Sequence, residues 1–236
     1  RISGGDARKL LNIFELLVTT ESSEEVVITN EMVQQKVQQN TVMYDKTGEQ
    51  HYDIISAFIK SIRGSDPNAA VYYLARMLEG GEDLKFIARR LIILASEDIG
   101  NANPTALIMA TNAFTAVTTI GYPESRIILS QCVTYLATSP KSNASYMAIN
   151  KAQQLVKQTG DLPVPLALRN APTKLMKELG YGDEYKYSHD GAGNFIAQEF
   201  LPEEITNQKL YDPGANARED GIRKFLKNRW GDKYNY

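Results

Sequence analysis

Residues 63–104 read "RGSDPNAAVYYLARMLEGGEDLKFIARRLIILASEDIGNANP", and the punctuation in this run decides the fold class. Asp66 can cap a helix whose first position is Pro67. The carboxylate accepts from the open N–H groups of the first turn, and the donor that proline lacks is not needed there. The helix so begun runs to the stop at Gly80 and Gly81, and "DLKFIARRLIILASEDIG" follows as a second helix. Asn103 and Pro104 repeat the cap-and-proline start, and the next helix passes Phe114 and Val117 and stops near Gly121.

The same grammar extends in both directions. Upstream, Ile55, Phe58, Ile59 and Ile62 form one apolar stripe; downstream, "YPESRIILSQCVTYLATSP" and "SNASYMAINKAQQLVKQTG" are two more helices. No period-two alternation is sustained anywhere, so the chain is expected to be all-α, a multi-helix bundle of antiparallel packed helices. Helix lengths vary and no consensus recurs, which argues against a solenoid. From about residue 161 the texture becomes rich in Pro, Gly and Tyr. That loop-rich C-terminal extension is expected to wrap on the bundle, with a short helix near residues 172–179 and a last helix over roughly 217–230.

Ahead of the body, Leu10, Phe14 and Leu17, flanked by Leu11 and Val18, predict a helix with one packed face. Thr29 or Asn30 caps a second helix carrying Met32, Val33 and Val37. The polar run "YDKTGEQHY", residues 44–52, reads as a linker, dividing a small unit over 1–45 from a main body over 46–236.

Composition narrows function mostly by exclusion. The chain has 236 residues, 43% hydrophobic and 23% charged, with a formal net charge of −2. A core can form, and no global field draws the molecule to nucleic acid or membrane. Cys132 is the single cysteine, and His51 and His189 are the two histidines, too few for a zinc site or an internal disulfide. A reducing, cytoplasmic setting is expected, and no metal site. No leader or spanning segment is evident, and the missing initiator methionine reads as a piece of something longer.

Several constellations bear on chemistry. No phosphate-cradling "GxxxxGK[ST]" loop occurs, so the chain is not expected to be an enzyme by itself. "GAGNF" at 191–195 reads as a turn. Cys132 with His189 could form a thiol and base, but Cys132 lies on an apolar helix side, where cysteines are usually inert. His189 and Asp190 read as a turn rather than an acid–base pair. Arg89 and Arg90 are expected to form ion pairs, with Glu97 and Asp98 farther down the same helix as partners in the chain or across subunits. Tyr72, Tyr73 and Met77 suit either the core or a contact with another copy. On the last helix Arg223, Lys224, Lys227 and Arg229, interleaved with Trp230 and diluted by Glu219, Asp220 and Asp232, read first as a solvated helix face and second as candidate DNA contacts. Arg8 is a cation in a first helical turn, where the exposed N–H groups already carry positive charge, so it calls for an anion nearby.

The blocks "SGGDARKLLNIFE", "SIRGSDP" with "ARML", "IARRL" with "SEDIG", "YLATSPKSNASY" and "YSHDGAGNFIAQEFLPEE" together resemble the MgsA/RarA family of AAA+ ATPases, relatives of the Werner helicase-interacting protein. The likeness covers the end of the AAA+ lid (1–45) and the helical assembly domain (46–236), similar to a clamp-loader collar. Ser188 departs from it, standing where the family run has proline. The resemblance implies that "GDAR" is a sensor 2 motif, with Arg8 facing the terminal phosphate of ATP held, with Mg, by a nucleotide domain ahead of this chain. It implies no cofactor bound to this piece alone. It further implies a homotetramer, contact with DNA and single-strand DNA-binding protein, and work at replication forks in recombination and repair. A free-standing helical scaffold that never meets a nucleotide is the competing expectation, and a small hydrolase using Cys132 or His189 is a third.

Overall fold

The computed structural model describes Leu11, Phe14, Glu15, Val18, residues 27–33 and residues 49–236. Eight α-helices order the chain from residue 49: α1 Glu49–Arg63, α2 Pro67–Glu79, α3 Leu84–Leu94, α4 Thr105–Ile120, α5 Ser125–Thr138, α6 Ala144–Thr159, α7 Lys174–Glu178 and α8 Ala217–Tyr234. Short 3-10 turns punctuate the stretch between α6 and α8, and no strand occurs among the described residues. The all-α expectation holds.

Capping accounts for the helix starts. Asp66 Oδ1 accepts from the N–H groups of Asn68 and Ala69, both at 3.0 Å, and Asp83 Oδ1 accepts from Lys85 at 3.0 Å. Thr29, rather than Asn30, caps the short N-terminal helix, its hydroxyl accepting from Met32 at 3.2 Å. Such caps each contribute about 1 kcal/mol. At the end of α4, Gly121 adopts φ +76°, a conformation that suits glycine and turns the chain into α5.

The core is built around α5, which packs against α1, α2, α3 and α4. Its buried residues Leu129, Cys132, Val133 and Leu136 recur at helical spacing and meet Phe58 and Ile62 of α1, Leu74 and Met77 of α2, and Leu91 of α3 in one cluster. Each large side chain so buried contributes roughly 2 kcal/mol, and together they fix the first five helices of the body as one unit. By contrast, α6 buries only Ala144 and leans on the turn after α3.

Four sequence expectations need correction. The helix begun at Leu84 does not run unbroken to its stop: α3 gives way to a wider π-helical turn over Ala95–Ile99 and a 3-10 turn over Gly100–Ala102. Asn103 does not cap α4, because its amide is drawn across the bundle to the hydroxyls of Tyr135 and Ser139 at 2.9 and 3.1 Å. The polar run expected to be a linker ends in helix, since α1 already begins at Glu49. α8 continues through Gly231 to Tyr234, because Trp230 packs with Phe195 and Phe200 and Tyr234 packs on Trp230. In the N-terminal unit Leu11, Phe14 and Val18 are helical but exposed; Leu10, Leu17 and Val37 lie outside the described residues.

Candidate assembly and nucleic-acid surfaces

At one end of the bundle the chain gathers an unusual density of polar groups. Arg63, the last residue of α1, donates from Nε to Asp98 Oδ1 at 2.6 Å and places Nη2 3.6 Å from Glu97. Asp98 is 8% exposed, so a carboxylate there needs a cationic partner. The hydrogen bond to Asp98 holds the Arg63 guanidinium pKa above its usual value. The backbone carbonyl of Asp98 accepts from Ser142 N–H at 2.8 Å. Beside it, Lys141 Nζ donates to Ser65 Oγ at 3.0 Å and to the carbonyls of Ala137 and Ser139 at 2.9 and 2.6 Å, closing the end of α5. Burial lowers the ammonium pKa of Lys141.

Glu219 of α8 joins this cluster and is 0% exposed. It takes hydrogen bonds from Asn216 Nδ2 at 2.6 Å, Tyr211 OH at 3.3 Å, the Ser142 hydroxyl and Gly214 N–H. Burial alone would raise its pKa, but these donors outweigh it and hold the carboxyl below the ordinary glutamate value. In sequence Glu219 reads as one of the surface acids of the last helix; the structure places it in the interior. The signal for this is the spacing of a capping box, with Asn216 Oδ1 accepting from Glu219 N–H at 3.0 Å while the glutamate reaches back to the Asn216 side-chain amide in place of its backbone N–H. A Cβ at Gly214 would come within 2.7 Å of Glu219 Oε2 and 2.9 Å of Ser142 Oγ, so glycine lets the loop close on the carboxylate.

This network overturns one expected pairing. Glu97 and Asp98 belong to Arg63, whereas Arg89 sits 3.8 Å from Asp83 and over the Phe86 ring. Arg90 has no ion pair among the described residues, and its Nε is buried without a hydrogen-bond partner. The blocks "SIRGSDP", "SEDIG" and "PKSN", distant in sequence, thus meet at one polar joint that ties α1, the π-helical turn and the α5–α6 loop together. Its groups are mutually satisfied apart from Asp98 Oδ2, and they form a clamp rather than a catalytic constellation.

The four candidate cations of α8 play different parts. Arg223 is committed to Asp212 at 2.8 Å and to the Pro213 carbonyl. Arg229 stacks its guanidinium on Phe225, 3.8 Å from the ring centroid, and donates to the Gly193 carbonyl at 3.3 Å. Lys224 and Lys227 are exposed and have no ion pair among the described residues.

Cys132 is buried in α5, and desolvation pushes its pKa up to about 12, so it holds no thiolate at neutral pH. His189 is exposed in a 3-10 turn, its Nδ1 3.2 Å from Asn194 Oδ1 and its ring stacked on Tyr187. No thiol–imidazole pair forms. Met77 belongs to the core, Tyr73 packs against it, and Tyr72 is exposed. The bundle also leaves Ile108 and Ile120 of α4, Ile127 of α5, and Met147, Ile149 and Val156 of α6 exposed. Among the described residues no helix is long and apolar enough to cross a membrane.

Arg8 lies outside the described residues. The polar clamp and the helices it ties lie in a region that matches the C-terminal part of AAA+ ATPases. The chain belongs to the MgsA family of these ATPases: the family description "MgsA AAA+ ATPase C terminal" matches residues 64–230, and "AAA C-terminal domain" matches residues 1–63. It is similar to replication-associated recombination protein A of Coxiella burnetii (43% identical over 229 residues, covering 96% of this chain and 52% of that protein). The same-named protein of Bacillus subtilis is 44% identical over 224 residues, covering 94% and 53%. The ATPase WRNIP1 of Dictyostelium discoideum is 38% identical over 232 residues, covering 89% and 26%. The chain spans about half the length of the bacterial relatives.

Proposed function

We propose that this chain is the lid end and assembly platform of a DNA-dependent AAA+ ATPase that works in replication-fork maintenance and recombination. The observation that carries the reading is the family match along nearly the whole chain, to AAA+ ATPase C-terminal regions, to bacterial proteins about twice its length named for replication-associated recombination, and to a longer protein named as an ATPase. On this reading the nucleotide domain stands ahead of Arg1 and binds ATP with Mg. Arg8 then serves as the sensor 2 arginine: a guanidinium at a positive helix terminus suits a terminal phosphate oxygen and the charge that builds as it is transferred. The assignment of Arg8 rests on "GDAR" in the sequence.

The platform function draws on the exposed apolar residues of α4, α5 and α6. Ile108 and Ile127 lie on helices already packed on their other sides, and Ile149 on a helix that buries little of its own surface in the bundle, so another copy can cover them without disturbing the core, which suits a homotetramer. DNA and single-strand DNA-binding protein are the partners the family likeness adds, and the setting is the cytoplasm. Light scattering of the intact protein tests the reading: a tetramer with ATP turnover stimulated by DNA supports it, and a strict monomer without turnover rejects it.

A further inference from the structure

Rings and cations alternate without a break along α8 and the loop packed on it. Arg229 stacks on Phe225 and lies 5.7 Å from the centroid of Phe195. Phe195 meets Trp230 edge-on at 5.1 Å, and Trp230 continues to Phe200 at 6.2 Å and Tyr234 at 5.9 Å. Between them opens a shallow cleft of about 330 Å³, lined by Gln198, Glu199, Arg229, Trp230, Asp232 and Lys233. Gln198 also bridges the N–H and C=O of Lys186, at 3.2 and 2.8 Å, and so ties the segment carrying Tyr185 and Tyr187 to the loop that lines the cleft.

Two features separate this strip from ordinary core packing. Its rings are not sealed: Phe225 is 52% exposed and Phe200 44%, and Tyr185 and Tyr187 are exposed too. Its charge is also unspent. Lys233 is committed to Glu199 and Arg223 to Asp212, but Arg218, Lys224 and Arg229 have no ion pair among the described residues. Arg218, Phe225 and Arg229 fall at spacings of seven and four residues, which places them on one side of the helix. Along α8 the exposed acids without an ion pair among the described residues are Asp220 and Asp232, against the cations Arg218, Lys224, Lys227 and Arg229, so cation is in excess along the helix.

We propose that this strip binds single-stranded DNA, with unpaired bases stacking on the exposed rings and phosphates lying against Arg218, Lys224 and Arg229. The inference rests on the reading of the chain as part of a DNA-dependent ATPase and names where and in what form the DNA is held. Ring faces attract bases only where base faces are free, which a duplex denies them. A guanidinium stacked on a ring keeps its N–H edge outward, where a phosphate can meet it. The carboxylates of an acidic peptide would engage the cations and leave the exposed rings of Phe200 and Phe225 without a partner.

The test is fluorescence anisotropy of the intact protein with a labelled oligothymidylate and with a duplex of equal length, circular dichroism confirming that each variant is folded. Phe225→Ala is expected to weaken oligothymidylate binding about tenfold, the scale of removing one base–ring stack, while Phe225→Tyr stays near wild type. The double variant Arg218→Ala/Lys224→Ala is expected to flatten the dependence of log affinity on log salt by about 0.7 for each phosphate no longer neutralised. Unchanged affinity in Phe225→Ala overturns the proposal, as does wild-type preference for the duplex, or a loss confined to an acidic peptide probe. ATP turnover and assembly mass are read on the same preparations. If both are intact while Phe225→Ala binds normally, only this strip is removed; if wild type shows neither, the ATPase reading itself falls.

Discussion

Arg63 and Asp98, thirty-five residues apart, are joined by a 2.6 Å hydrogen bond that fastens the end of α1 to the π-helical turn after α3. Because α1 is the first helix of the body, this bond fixes the seat of the element through which the chain enters the bundle.

Arg63→Ala is expected to lower stability by about 2 kcal/mol, less than the 3–5 kcal/mol typical of a fully buried pair because the arginine side chain is 45% exposed. Asp98→Asn keeps the shape of the side chain and is expected to cost less. Urea titrations followed by circular dichroism measure both, and equal midpoints for Arg63→Ala and wild type would rule the clamp out as a stabilising contact.

Glu219 predicts acid sensitivity. Its native pKa lies below the unfolded value, so the stabilisation it provides is present above the ordinary glutamate pKa and is lost as pH falls through the lower native one. Glu219→Ala strands the donors of Asn216, Tyr211, Ser142 and Gly214 and is expected to cost about 2–3 kcal/mol at neutral pH. The penalty should shrink toward acid pH, measured as the difference in thermal midpoint between variant and wild type.

Charge placed on the uncovered faces should break assembly without unfolding the bundle. Ile108→Asp and Ile149→Asp are expected to shift the mass seen by light scattering toward the monomer, with unchanged helical content, since both positions are exposed. A tetramer persisting in the two variants combined moves the interface elsewhere.

In the intact protein Arg8→Ala is expected to reduce ATP turnover on the order of a hundredfold, the scale of removing one transition-state hydrogen bond, with a smaller change in KM. Turnover equal to wild type removes the sensor assignment.

Helix order is legible in the sequence because caps and stops act locally. Asp66 acts through its carboxylate on the turn that follows it, and Gly121 and Gly160 through their own backbone, so each announces itself in a short window. What stays hidden is long-range: nothing near Asn103 says that its amide prefers Tyr135 and Ser139 to its own helix, and nothing near Asp98 names Arg63 over Arg89 or Arg90 as its partner. Glu219 is misread for a related reason, since a helix of mixed polarity such as α8 gives no apolar stripe from which to tell its inner side. The stacking strip is partly visible as basic residues near Trp230, but Phe195 and Phe200 join it only when the loop folds back on the helix.

The burial of Cys132 has a practical corollary. The one thiol of the chain is sealed among Leu129, Val133 and Leu136 and stays protonated, so maleimide reagents have no native target on the folded surface. A cysteine introduced at exposed Asn228 or Gln153 is therefore the accessible thiol of this chain, and a spectroscopic label on it lets distances between copies, or from this region to an oligonucleotide, be tracked directly.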